Sequence, residues 1–180
     1  MTSSTTLPRK AWTPEDVKLA FHLYCQLPYG RLHRSNPEII SLANLMGRSA
    51  NSVAMKLCNL ASLDPAITAS GRKGLTGASK LDRAIWDEFH ADWEGLVLES
   101  SRIRAELEQA SGSTTETETA SETLIDDFTG ETRSQIVQQR IKQSFFRRAV
   151  LSSYHHRCCI TGLSEPRLLI ASHIVPWSQD

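Results

Sequence analysis

The stretch NPEIISLANLMGRSANSVAMKLCNL, residues 36–60, decides the fold class of this chain. Asn36 followed by Pro37 is a helix start: the Asn side chain can accept from a free amide of the first turn, and proline suits the first helical position, where no N–H is needed. Ile39, Ile40, Ala43 and Met46 then recur at helical spacing, and Gly47 is placed to end that helix in a left-handed turn. Ser49 can cap a second helix in which Val53, Ala54, Leu57 and Leu60 face inward. Two short helices about a glycine turn are the outline of a helix-turn-helix. Its second helix would expose Asn51, Ser52, Lys56 and Asn59, with Arg48 at the turn. Asn can pair bidentately with adenine edges, and Lys or Arg can contact phosphate or guanine, so these are candidate DNA contacts. The same geometry also serves purely structural bundles, and a helical protein-interaction module would leave this polar face without a DNA role.

Upstream, Thr13-Pro14-Glu15-Asp16 reads as another helix start, and Val17, Ala20, Phe21 and Tyr24 form its apolar face until Leu27-Pro28-Tyr29-Gly30 stops it. Downstream of Leu63-Asp64-Pro65, the run Gly71-Arg72-Lys73-Gly74-Leu75-Thr76-Gly77 is a loop; it lacks the closing Gly-Lys-Ser/Thr of a nucleotide-binding P-loop. A long helix is then expected from about Leu81 to Leu107, packing through Ile85, Phe89, Trp93, Leu96, Ile103 and Leu107.

From Ser111 to Glu122 the sequence turns to Ser, Thr, Glu, Gly and Ala, with no large apolar residue from which to build a core. This divides the chain into a helical domain at 11–107, an acidic linker at 108–130 and a C-terminal domain at 131–180. The net charge of zero hides a matching asymmetry: residues 1–107 carry +2, 108–132 carry −7 and 133–180 carry +5. A basic module behind an acidic spacer fits a tethered phosphate-binding unit as well as it fits a solvated helix face.

Apolar content of 40% is ordinary for a globular protein. No run approaches the roughly 20 apolar residues of a membrane span, and the N-terminus lacks the parts of a signal peptide, so the expected location is the cytoplasm, with no membrane partner. Cys25, Cys58, Cys158 and Cys159 read as reduced thiols, since adjacent cysteines suit neither a disulfide framework nor a Cys-x-x-Cys zinc pair. His155 and His156 beside them fit no common zinc spacing either.

In the C-terminal region, Ile136, Val137, Ile141, Phe145, Ala149 and Val150 give a helix from about Glu131 to Tyr154. Beyond it the period changes. Cys158–Gly162 and Leu168–Ala171 are short apolar runs around the turn-like 163–167, which predicts two strands.

The run Phe145-Phe146-Arg147-Arg148-Ala149-Val150-Leu151, then Tyr154, then Cys159-Ile160-Thr161-Gly162, then Ala171-Ser172-His173-Ile174-Val175-Pro176-Trp177 closely resembles the first half of an HNH endonuclease domain. The resemblance covers about 133–180 well; residues 11–107 are similar, less distinctively, to the helical region that precedes such domains in bacterial proteins. It implies a mostly α chain ending in a partial α+β, ββα-metal domain that cleaves phosphodiester bonds with Mg²⁺ or Mn²⁺, with Arg147 and Arg148 near the DNA. His173 matches the motif's first His, the general base on the attacking water. An imidazole titrates near neutral pH, which suits that task.

Two departures from the family pattern matter. Ser172, a weak neutral ligand, stands where many HNH nucleases place a metal-binding Asp or His. The family's Asn and second His do not occur before Asp180, so the chain reads as a C-terminally truncated member and is expected to be inactive alone. Its expected partners are DNA and either a second copy or a complementing C-terminal half. Restriction-like defence is the expected setting, with the spacer letting the two modules engage neighbouring stretches of DNA. The rival reading is a non-catalytic DNA-binding or regulatory remnant.

Overall fold

Helix caps written into the sequence set most of the architecture. A computed structural model of the chain describes residues 10–112 and 130–172. Helix α1 spans Pro14–Gln26, with a capping box in which Thr13 and Asp16 satisfy each other's backbone amides. Helix α2, Pro37–Leu45, is capped by Asn36, and α3, Ala50–Ala61, by Ser49. Between them Gly47 sits at φ +61°, a left-handed conformation in which a side chain would be strained. A short α4, Pro65–Ala69, starts at Asp64, whose carboxylate also accepts the Tyr24 hydroxyl at 2.6 Å and so ties α4 to α1.

The long helix expected over 81–107 is two. Helix α5 spans Lys80–Ala91 and α6 spans Trp93–Ala110. Asp92 leaves the helical region at φ −150°, ψ 81°, and its side chain accepts the Gly95 amide at 2.9 Å, so one residue both ends α5 and caps α6. Ile85, Leu96 and Ile103 are buried as their spacing requires.

Helices α1, α2, α3, α5 and α6 close around one core. Val17, Phe21, Ile39, Leu42, Val53, Leu57, Leu60 and Leu96 are each at most 2% exposed. Ile40, read as inward, is instead 40% exposed, because Ile39, Leu42 and Ala43 take the buried positions on α2.

Helix α7, Gly130–Ser153, packs across α1 and α6. Its anchor is Phe145, 4% exposed, whose ring lies 4.9 Å from that of His22, 6.4 Å from Phe89 and 6.1 Å from Trp93. Burying a phenylalanine is worth about 1.5–3 kcal/mol, so this contact dominates the docking. Ion pairs flank it: Lys142 to Glu94 on α6, and Arg148 to Glu38 on α2 at 2.6 Å.

The two strands predicted at 158–162 and 168–171 do not form: no strand occurs among the described residues. Residues 158–162 close into a turn instead, with the Gly162 amide donating to the Cys158 carbonyl at 2.9 Å and the Cys158 amide to the Leu163 carbonyl at 2.8 Å. Pro166–Leu168 form a single 3₁₀ turn capped by Glu165. The carbonyls of Pro166 and Leu169, which a neighbouring strand would need, accept the two guanidinium ends of Arg147. The described segment is thus pinned to α7 by a side chain rather than by a ladder.

Candidate nucleic-acid interface and C-terminal segment

Helix α3 presents Asn51 and Met55 to solvent, one turn apart, with Ser52 and Asn59 partly exposed along the same side. Ser49 spends its hydroxyl on the Ser52 amide at 3.2 Å, and the Asn51 amide contacts the Met55 sulfur at 3.6 Å. Neither contact removes the Asn51 side chain from the surface, so its amide group stays available to an edge-on partner.

Arg48 and Lys56 do not share that face, which corrects the expectation that they project outward. The Arg48 side chain is 4% exposed; it donates to the carbonyls of Lys10 and Ala11 and pairs with Asp16 at 2.5 Å. Lys56 is 7% exposed and pairs at 2.7 Å with Asp82, which is fully buried. Trp12 covers both cations, 4.2 Å from the Arg48 guanidinium and 4.8 Å from the Lys56 ammonium. Here a ring face, two buried carboxylates and backbone carbonyls solvate two positive charges in place of water. The sequence signal for Trp12 is its position just ahead of the Thr13 cap, where a large ring has no role in the helix itself, and that for Asp82 is its place three residues after the Ser79 cap.

Of the two α7 arginines expected at the DNA, Arg147 is committed to the Pro166 and Leu169 carbonyls, whereas Arg148 is about half exposed beyond its pair with Glu38. The structure therefore separates the seven expected DNA contacts: Asn51, Ser52, Asn59 and Arg148 reach the surface, while Arg48, Lys56 and Arg147 hold the fold.

Ser172 is the last described residue and is exposed; His173 lies outside the described residues. Just upstream, the Cys158 thiol is held below its ordinary range by the Thr161 side chain and then by the backbone amides of Thr161, Ile160 and Gly162. Burial instead pushes Cys25 and Cys58 up. All four cysteines are free.

Among the described residues, no group of three or more His, Cys, Asp or Glu side chains is placed to hold a metal ion. Ser172 alone does not fit the oxygen- and imidazole-rich shell a hard divalent cation requires. Nor, among the described residues, is any helix long and apolar enough to cross a membrane.

The geometry defines a mostly α protein whose core-forming helices carry a polar outward helix face, with a C-terminal segment hung from a docked helix. Residues 158–180, the segment following α7, match the family model of the HNH endonucleases. No curated protein and no solved structure matches the chain.

Proposed function

We propose that this chain is an HNH-type DNA endonuclease in which the α2–Gly47–α3 unit engages duplex DNA as a helix-turn-helix and the segment from Cys158 onward hydrolyses phosphodiester bonds. The observation that carries this reading is the match of residues 158–180 to the HNH endonuclease family. Asn51 reads a base edge in the major groove, Ser52 and Asn59 contact the flanking backbone, and Arg148 exchanges Glu38 for phosphate. His173 takes the proton of a water whose oxygen attacks phosphorus, as the bond to the leaving ribose oxygen breaks. The described residues do not make a cation site, so the protein's assigned step is this proton transfer alone; Mg²⁺ or Mn²⁺ is the expected cofactor. Restriction-like defence in the cytoplasm is the biological role that best suits such an enzyme.

The test is plasmid binding and nicking with Mg²⁺ or Mn²⁺, comparing this chain, a version extended to carry the family's Asn and second His, and that extended version with His173→Ala. All three are expected to bind, and only the extended version with His173 intact to nick. Nicking by all three would remove His173 from the role of base. Binding without nicking by any of them would support a non-catalytic DNA-binding or regulatory protein instead.

A further inference from the structure

The cations of the helical unit fall into two populations. Lys18, Arg48, Lys56, Arg102 and Arg104 are each within an ion pair. Lys10, Lys80 and Arg83, together with the four loop cations Arg31, Arg34, Arg72 and Lys73, are exposed and have no acidic partner among the described residues. These four come from two loops some forty residues apart, and the fold brings the loops together through Tyr29. The Tyr29 hydroxyl donates to the Lys73 carbonyl at 2.8 Å, and the Arg72 guanidinium lies 5.7 Å from the Tyr29 ring. Arg31 closes the 3₁₀ turn Tyr29–Arg31, and its carbonyl is held by the Asn36 side chain at 2.9 Å.

Both loops are also fastened to α3 at one residue. The Leu75 amide donates to the Cys58 carbonyl at 3.1 Å, and the Cys58 thiol lies 3.6 Å from the Leu32 carbonyl. The approach is close enough to demand glycine: a Cβ on Gly74 would meet the Ser62 nitrogen at 2.4 Å and the Cys58 oxygen at 2.5 Å. One turn on, Gly77 abuts the Asn59 side chain. The basic loops therefore sit at the C-terminal end of α3, continuous with the face that carries Asn51, Met55 and Asn59. Cys58 is seven residues from Asn51, about 10 Å along the helix.

We infer that the loops at 29–36 and 71–75 form a phosphate-backbone clamp for duplex DNA, built from Arg31, Arg34, Arg72 and Lys73 and aligned with the outward face of α3. This rests on the DNA-binding reading above and adds where the backbone is held. Unpaired guanidinium groups beside a polar helix face suit a chain of phosphates: they supply charge and donors without reading sequence, while the helix supplies the reading. It also accounts for the two populations, since cations already neutralised within the fold release few counterions on binding DNA and the free ones release most.

The measurement is fluorescence anisotropy of the full chain with duplex DNA across a salt series, for the wild type and for Arg31→Ala/Arg34→Ala/Arg72→Ala/Lys73→Ala. Losing about four phosphate contacts is expected to weaken binding about 100-fold at low salt and to flatten the log–log salt slope by about 3 to 4. The charge-keeping Arg31→Lys/Arg34→Lys/Arg72→Lys/Lys73→Arg is expected to bind nearly as the wild type does, which separates lost charge from lost fold. Arg102→Ala/Arg104→Ala, which removes paired cations, is expected to leave the slope unchanged. A quadruple alanine variant with wild-type affinity and slope would overturn the clamp while leaving DNA binding intact. An equal loss in Arg102→Ala/Arg104→Ala would overturn it in favour of net charge alone. Wild-type protein that ignores duplex DNA would overturn both the clamp and the reading beneath it.

Discussion

The helical unit and the segment after α7 solve the burial problem in opposite ways. In residues 10–112 most large apolar side chains of α1, α2, α3 and α6 turn inward, Ile40 and Met55 excepted; Val17, Ile39, Leu42, Val53, Leu57 and Leu60 are completely buried. Over 154–170 the balance reverses: Ile160 is 90% exposed, Ile170 88%, Leu168 68% and Tyr154 53%. Only Leu169 is buried there, beside the carbonyl that Arg147 holds. Helices complete their backbone hydrogen bonding internally and need only one apolar stripe to close a core. A hairpin-like segment satisfies its backbone through neighbours, and here a single arginine substitutes for them. The lesson is that one region stores its stability in a shared core and the other borrows its position from α7.

The comparison is broken most severely at the buried ion pair. Lys56→Ala leaves the Asp82 carboxylate buried without its cation, and urea denaturation is expected to show a loss of about 3–5 kcal/mol. Lys56→Met combined with Asp82→Leu removes both charges and is expected to recover most of that loss. The hinge between the regions comes next: Phe145→Ala empties the space among His22, Phe89 and Trp93 and is expected to cost about 3 kcal/mol. Limited proteolysis of that variant is expected to release α7 while the helical unit resists.

A third prediction follows from His22, whose ring packs at a tilt against Phe145 at the same junction. Burial, and then the nearby Arg104 and Arg148, hold its imidazole down at about 4 rather than near 6.5. Between these values the unfolded chain takes up a proton that the folded chain refuses. Stability is therefore complete above about pH 6.5 and falls as the pH drops toward 4, by about 3 kcal/mol in total. His22→Gln is expected to flatten that limb of a melting-temperature profile relative to the wild type. The smallest effect is expected in the other region: Ile160→Ser with Ile170→Ser should move the unfolding free energy by less than about 0.5 kcal/mol. A larger loss would mean that these side chains pack in solution.

Helix caps made the first region legible. Thr13, Asn36 and Ser49 each announce a helix start, and the structure places all three as caps. The break at Asp92 was hidden because Phe89, Trp93 and Leu96 keep helical spacing across it, and an apolar pattern does not register an aspartate that caps. The fate of Arg48 and Lys56 was hidden for a different reason. Charged residues on a helix read as outward until their partners are known, and Asp16 and Asp82 lie 32 and 26 residues away in sequence. The strands expected at 158–162 and 168–171 do not form, since short apolar runs gain strand structure only from a neighbour. The nuclease motif was legible by its order of residues, and the family match begins at Cys158.

The docking of α7 also makes the molecule a ruler. Arg148 touches Glu38 at the start of α2, and α7 ends at Ser153. That remaining stretch of helix rises about 7 Å, or about two base-pair steps of duplex. Under the proposed nuclease reading, a segment hung from a docked strut is expected to leave ends at a set count of base pairs from the bound sequence, whereas one on a loose tether would scatter its breaks along the DNA.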